Sequence, residues 1–266
     1  MVIDRLRVSL AVAPENLLPH SLGNPDSLFS QVADHLALLI VSGTVATGEL
    51  VPNEDSIGES LSVSRSVYRE AVKFLSAKGL VEARPRSGTR AAPPSHWNLL
   101  DPDVLRWTFS VGASDKFIRD LYELRLFIEP NAARLAAERR TPQQAVALRD
   151  ALTGMTASVP YSDDNIRYDV VFHDTLLDAC GNDAIRCLRS VVMTTLMWSL
   201  GLQRGKSKED YASALAMHRR VCEAVEIRDG ALAESITRAL VHDALVETMQ
   251  KFHERAAARH LRPAAE

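Results

Sequence analysis

Apolar residues recur at helical spacing at Val32, Leu36, Leu39 and Ile40, behind a Ser27 able to cap the first turn, and the repeat stops at Gly43. Positions three and four apart share one helix face, so this stretch predicts a helix. A turn around Gly48 and a lead-in at Pro52 precede a second, short helix through Ile57 and Leu61. A third helix is expected from about Ser64 to Ala77, closed by Gly79. Leu80 to Arg84 reads as a strand, PRSG as a tight turn, and Thr89 to Ala92 as the returning strand. Three short helices and a hairpin in that order make a winged helix-turn-helix. One helix of that motif fits the major groove of DNA, and the hairpin reaches the adjacent backbone or minor groove.

Pro93 and Pro94 mark a boundary, after which LLDPDVLRW predicts a connecting helix capped by Asp101 with Pro102 in its first turn. Beyond Ser114 the pattern is helical almost throughout, over 114–139, 142–157, 163–180, 182–201, 207–228 and 231–256. Pro130 falls inside the first segment and is expected to bend or divide it. No long alternating stretch appears there, which favours a bundle over an α/β enzyme fold. The fold class expected is mainly α: an N-terminal winged helix-turn-helix with a small β-hairpin, then an all-helical effector-binding bundle. The expected divisions are an arm at 1–24, which is either flexible or an ordered cap, a DNA-binding domain at 25–92, and a linker with its connecting helix at 93–113. A ligand-binding and dimerisation domain at 114–256 and a tail at 257–266 complete the chain.

Composition changes this picture little, but local charge sharpens it. The net charge of -3 argues against a uniformly basic coat. Yet Ser64 to Arg90 holds seven Lys or Arg against two Glu, whereas Asp26 to Ser60 holds six acidic residues and no Lys or Arg. A nucleic-acid footprint is a property of one face, so the reversal points to the third helix and the hairpin. Cys180, Cys187 and Cys222 have no CxxC spacing and an odd count, which suits a reducing compartment, and each reads as a small buried apolar group. No run has the length of a signal-peptide core or a membrane span, so a cytoplasmic protein without membrane contact is expected.

The chemistry-bearing residues fall in two groups. Arg65 and Arg69, four apart, can grip phosphate or read guanine, and Ser64 and Ser66 can add phosphate bonds near the helix N-terminus. Arg84, Arg86, Ser87, Gly88 and Thr89, with Arg90, form the candidate wing. The plainer reading is that Ser64 only caps, the arginines form a solvated face, and Gly88 only serves a tight turn. In the second half, Asp169 and His173 share a helix face and can hold a divalent ion, with His218 on a later helix able to complete the set and His242 also available. A solvated Asp169 beside a hydrogen-bonded His173 is the alternative. Arg125 is a candidate anion anchor if it points inward, and Glu129, one turn on, can pair with it.

The chain resembles bacterial transcription regulators of the GntR family, FadR-like branch. The likeness is carried by ATGELVPNEDSIGESLSVSRSVYREAVKFLSAKGLVEARPRSGTR, LYELRLFIEPNAARLAAERR, DVVFHDTLLDACGND and HRRVCEAVEIRDG. NLLDPDVLRWTF resembles regulators responsive to galactonate or gluconate. The resemblance implies a homodimer on a palindromic operator, released by a small carboxylate such as a sugar acid. It places DNA reading on Arg65 and Arg69 with the wing at Ser87 to Thr89. It places the effector on Arg125, Asp169, His173 and His218, the last three holding a divalent metal, Zn²⁺ by the preference of two histidines. Two positions depart from the family's pattern. Asp55 stands where many relatives have an arginine, and Leu240 stands where they often have a further histidine, with His242 turned about 200° away from it. A metal-dependent enzyme using the Asp/His set, or a dimerisation protein without ligand control, are the competing functions. The sequence offers no dependable nucleophile or general-base motif for the first.

Overall fold

The structure, a computed structural model, describes residues 27–61, 63–84 and 87–260. The expected arm, Arg86 and the end of the tail lie outside the described residues, as does the side chain of Arg84. The described chain divides into two compact units between Ala113 and Ser114.

In the first unit, α1 (Leu28–Val41) opens at Ser27, whose hydroxyl accepts from the Ser30 amide at 3.1 Å. Its Val32, Ala33, Leu36, Ala37 and Ile40 are buried. They share a core with Ile57 of α2 (Glu54–Leu61) and with Tyr68, Ala71, Val72 and Leu75 of α3 (Arg65–Ala77). Each large side chain removed from water there contributes about 1.5–3 kcal/mol. The Tyr68 hydroxyl donates to the Pro52 carbonyl at 2.9 Å and ties α3 to the start of α2. Gly79 ends α3 with φ +78°, and a Cβ there would lie 2.0 Å from the His96 carbonyl oxygen, so only glycine fits.

Strands β1 (Val81–Arg84) and β2 (Gly88–Ala91) pair antiparallel with Glu82 opposite Arg90. A third extended segment runs along β2: the Gly48 and Val51 amides donate to the Ala91 and Thr89 carbonyls, and the Ala91 amide donates to Glu49. The sequence reads this segment only as a turn. Helix α4 (Pro102–Val111) starts at Asp101, which accepts from the Asp103 amide at 2.9 Å, and sends Val104 and Trp107 into the core. Two polar clamps fix it. Lys78, at the end of α3, binds Asp101 and Asp103 at 2.7 and 2.9 Å, and Asp34 of α1 accepts from Arg106 and Trp107 at 2.6 Å each.

The second unit contains α5 (Asp115–Arg139), α6 (Pro142–Ala157), α7 (Asp163–Ala179), a single turn α8 (Asp183–Arg186), α9 (Arg189–Leu202), α10 (Lys208–Glu226) and α11 (Gly230–His260). Ser114, Thr141, Ser162 and Ser207 cap α5, α6, α7 and α10, each accepting from the amide three residues on. Helix α11 packs along α5, where the Tyr122 and Thr248 hydroxyls bond at 2.8 Å.

Two expectations are corrected here, and a third is narrowed. Pro130 does not divide its segment, because α5 runs through it unbroken. Proline leaves the carbonyl four residues back without its helical donor. That carbonyl, Leu126, is approached by Arg238 of α11 at 3.5 Å, while the Asn131 side chain donates to the next one, Phe127. The segment expected at 182–201 is two helices: Asn182 caps α8, whose side chain accepts from Ala184 and Ile185, and the chain breaks at Cys187 and Leu188. No glycine or proline signals that break. Cys180 and Cys222 are buried as expected, but Cys187, lying at this break, is exposed.

Candidate functional site

On α3, Tyr68, Ala71, Val72 and Leu75 face the core, which leaves Arg65, Ser66, Arg69 and Lys73 on the exposed side. Ser64 caps the helix by accepting from Val67 and bonds Ser66 at 2.9 Å. Arg65 is held by the acidic first turn of α2, at 3.3 Å from Glu54 and 3.7 Å from Asp55. Arg69 makes no ion pair among the described residues. In the wing, Ser87 and Gly88 are exposed and Thr89 is half-buried, and Gly88 has φ +79°. Arg90 donates to the Gly48 carbonyl at 2.8 Å, which braces the hairpin against the extra strand. Arg84 stands opposite Gly88 in the ladder.

The second unit brings Arg125, Asp169, His173 and His218 to one cavity of about 70 Å³, measured to the centres of water molecules. All four are buried. Asp169 and His173 lie one turn apart on α7, and His218 comes across from α10. The two imidazole Nε2 atoms are 3.3 Å apart, and they lie 3.5 and 3.7 Å from the Asp169 carboxylate oxygens. The other nitrogen of each ring is already engaged. His218 Nδ1 donates to the Ala214 carbonyl at 2.8 Å, and His173 Nδ1 lies 2.7 Å from Glu129. The His218 proton is thereby assigned to Nδ1, and both Nε2 atoms face Asp169.

Such a set fits a divalent cation. A tetrahedral centre with bonds of about 2.0–2.1 Å separates its ligand atoms by roughly 3.3–3.4 Å, close to the spacings seen. Asp169 Oδ1 is buried without a hydrogen-bond partner among the described residues, as an oxygen awaiting a cation would be. The phenyl ring of Phe172 packs edge-on to His218 at 5.1 Å and steadies the ring. Leu240 is buried and lines the cavity, whereas His242 is exposed beside Asp243, so neither supplies a fourth ligand.

Arg125 adjoins this triad through Glu129, its guanidinium 2.5 Å from that carboxylate and stacked 4.8 Å from the Tyr122 ring. Burial works against the Arg125 cation, but Glu129, Tyr122 and Asp169 together outweigh it and push the guanidinium above its ordinary range. Burial likewise opposes the Glu129 anion, and Arg125 with His173 overcomes this to hold it at about 2. Glu129 therefore stays ionised and orients a cation on one side and a metal-type ligand on the other. Arg125 Nη1 is buried without a hydrogen-bond partner among the described residues, and Arg125 lines the cavity. Sequence reasoning paired Glu129 with Arg125 but missed its second role, since His173 is on another helix. It also missed the cavity residues Gln203, Tyr211, Asp243 and Glu247, for which no local pattern stands out.

Residues 28–90 match the family described as bacterial regulatory proteins, gntR family, and residues 120–243 match the FCD domain. The chain is 31% identical over 215 residues to YieP of Escherichia coli K12, an uncharacterized HTH-type transcriptional regulator, covering 79% of this chain and 90% of YieP. The chain belongs to the GntR family. This GntR-family chain is also 29% identical to the galactonate operon transcriptional repressor of the same organism, over 76% of this chain and 88% of that one. Its fold is shared with Lar, which controls expression of the agr system of Listeria monocytogenes, at TM-score 0.62 and 16% identity, over 85% of this chain and 98% of Lar. Membership makes it a ligand-responsive, DNA-binding transcription regulator and not an enzyme. The catalytic reading of Asp169, His173 and His218 falls with that. No helix among the described residues is long and apolar enough to cross a membrane.

Proposed function

We propose that this GntR-family regulator is a cytoplasmic homodimeric repressor, released from a two-fold operator when a small carboxylate of sugar-acid type enters the cavity of its second unit. The observation that carries the reading is the buried Arg125 Nη1 without a partner, lining the same cavity as the Asp169, His173 and His218 triad. Asp169, His173 and His218 would hold the cation, with Zn²⁺ favoured by two imidazoles and a carboxylate. When bound, that cation supplies a positive centre for a carboxylate oxygen. Arg125 supplies the second anchor through charge-assisted N–H bonds. The relative that represses a galactonate operon supports the sugar-acid class.

On the DNA side, Arg65, Arg69, Ser64 and Ser66 engage the major groove and its phosphates, and Arg84, Arg86, Ser87, Gly88 and Thr89 engage the flank. Two recognition helices in a dimer read half-sites about one helical turn apart. Release requires that the effector bind the DNA-incompetent arrangement more tightly than the competent one.

The test is fluorescence anisotropy of labelled DNA from the gene's own upstream region at fixed salt, with zinc-loaded and metal-free protein. Specific binding that D-galactonate or D-gluconate weakens is the expected result. A specific complex that no sugar acid disturbs, with or without zinc, would refute the effector assignment.

A further inference from the structure

We infer that Gln203 is a specificity-determining residue of the effector cavity, reading a hydroxyl that lies along the effector beyond its carboxylate end. This rests on the carboxylate-effector reading above and adds what the rest of the ligand must carry. Gln203 closes α9, its amide donating to the Leu200 carbonyl at 3.0 Å, and it extends the stripe Leu196, Ser199 and Leu200 along the cavity wall. Its side chain is buried at 4% exposure, and its Oε1 has no hydrogen-bond partner among the described residues. An amide oxygen withdrawn from water without a donor is a liability unless a ligand supplies one. Gln203 lines the same cavity as Arg125, so a ligand filling it can supply that donor.

Two neighbouring side chains are of the same acceptor type. Asp243 and Glu247, one turn apart on α11, line the cavity, and Lys206 binds Glu247 at 2.9 Å across from the turn that follows Gln203. The Tyr211 hydroxyl lies 3.0 Å from the Asn165 side-chain amide and is able to donate its own hydrogen to a ligand oxygen. On α10, Tyr211 stands seven residues from His218, about 10 Å along the axis. The cavity thus runs from a pole that wants anionic oxygen, at Arg125 and the triad, to a wall where Gln203, Asp243 and Glu247 accept hydrogen bonds and Tyr211 can donate one. A chain of several carbons with a carboxylate at one end and hydroxyls beyond C2 satisfies both. A short or purely aliphatic acid satisfies only the first.

The test is isothermal titration calorimetry on the zinc-loaded full chain with D-gluconate, D-galactonate and 2-hydroxyhexanoate, which keeps the acid and its adjacent hydroxyl but lacks the distal ones. Wild type should bind one of the aldonates at least about tenfold more tightly than 2-hydroxyhexanoate. Gln203→Met, similar in length but unable to pair with a hydroxyl, should weaken that aldonate about tenfold or more and leave 2-hydroxyhexanoate within twofold. An unchanged thermal midpoint will show that the variant is folded. Aldonate affinity unaffected by Gln203→Met, or a wild type that does not distinguish the acids, overturns this inference alone. Absence of binding by all three acids to wild type overturns the carboxylate-effector reading and this inference with it.

Discussion

At Arg125 the fold accepts a cation with a side chain only 3% exposed, and this is sustainable only because Glu129 lies 2.5 Å away. A buried pair of this kind contributes little against an apolar replacement of both members, but removing one member strands the other. Arg125→Met should therefore destabilise the second unit by about 3–5 kcal/mol in urea denaturation, since it leaves the Glu129 anion buried with only His173 beside it. Adding Glu129→Gln should restore part of that loss. If the double variant is as unstable as the sum of the singles, the stranded-charge account is wrong. The i, i+4 spacing of Arg125 and Glu129 was legible in the sequence because it is local. The link from Glu129 to His173, and the unpaired Oε1 of Gln203, were not, because each depends on how separate helices meet.

Among the elements, α2 holds the first residue of α3, Arg65. Glu54 and Asp55 stabilise the start of α2 as acidic residues at a helix N-terminus, and they hold the first arginine of α3 away from other anions. On the proposed reading, in which Arg65 contacts the operator, DNA binding has to break these pairs and bring phosphates near the same carboxylates. Arg65 and Asp55 are largely exposed and Glu54 partly so, which makes the pairs worth about 0–1 kcal/mol, so Glu54→Gln with Asp55→Asn should tighten operator binding by up to about fivefold at moderate salt. The gain should shrink as salt rises. Weaker binding by the double variant in anisotropy titrations would mean that the carboxylates position Arg65 instead of restraining it. The sequence announced α2 and α3 well, since Pro52, Ser64 and Gly79 are local signals at their ends. It could not announce the strand-like pairing of Gly48 to Val51 with β2, which has no alternation of its own and is made by backbone bonds to a distant hairpin. The survival of α5 through Pro130 escaped for a related reason, as Arg238 reaches Leu126 from the far end of the chain.

For the whole molecule, the decisive feature is that each unit has its own core. Val32, Leu36, Leu75 and Trp107 belong to one, and Phe172, Leu176, Val221 and Ile236 to the other. The candidate cation ligands all lie in the second unit, so a cation that binds them stabilises that unit's folded state by mass action and has no direct grip on the first. At a concentration one hundred times Kd the stabilisation is about 2.7 kcal/mol. For a unit of this size that raises the unfolding midpoint by roughly 5–10 °C. Tryptophan fluorescence can separate the units, because Trp97 and Trp107 lie in the first and Trp198 is buried in the second. Thermal melts of variants that retain only one set of reporters, with and without Zn²⁺, should show the Trp198 transition moving and the Trp97 and Trp107 transition staying. His218→Ala should abolish the shift by removing one of three ligands. An equal shift of both transitions would mean that the cation acts elsewhere or that the units unfold as one, and a shift that survives His218→Ala would exclude the triad as its site.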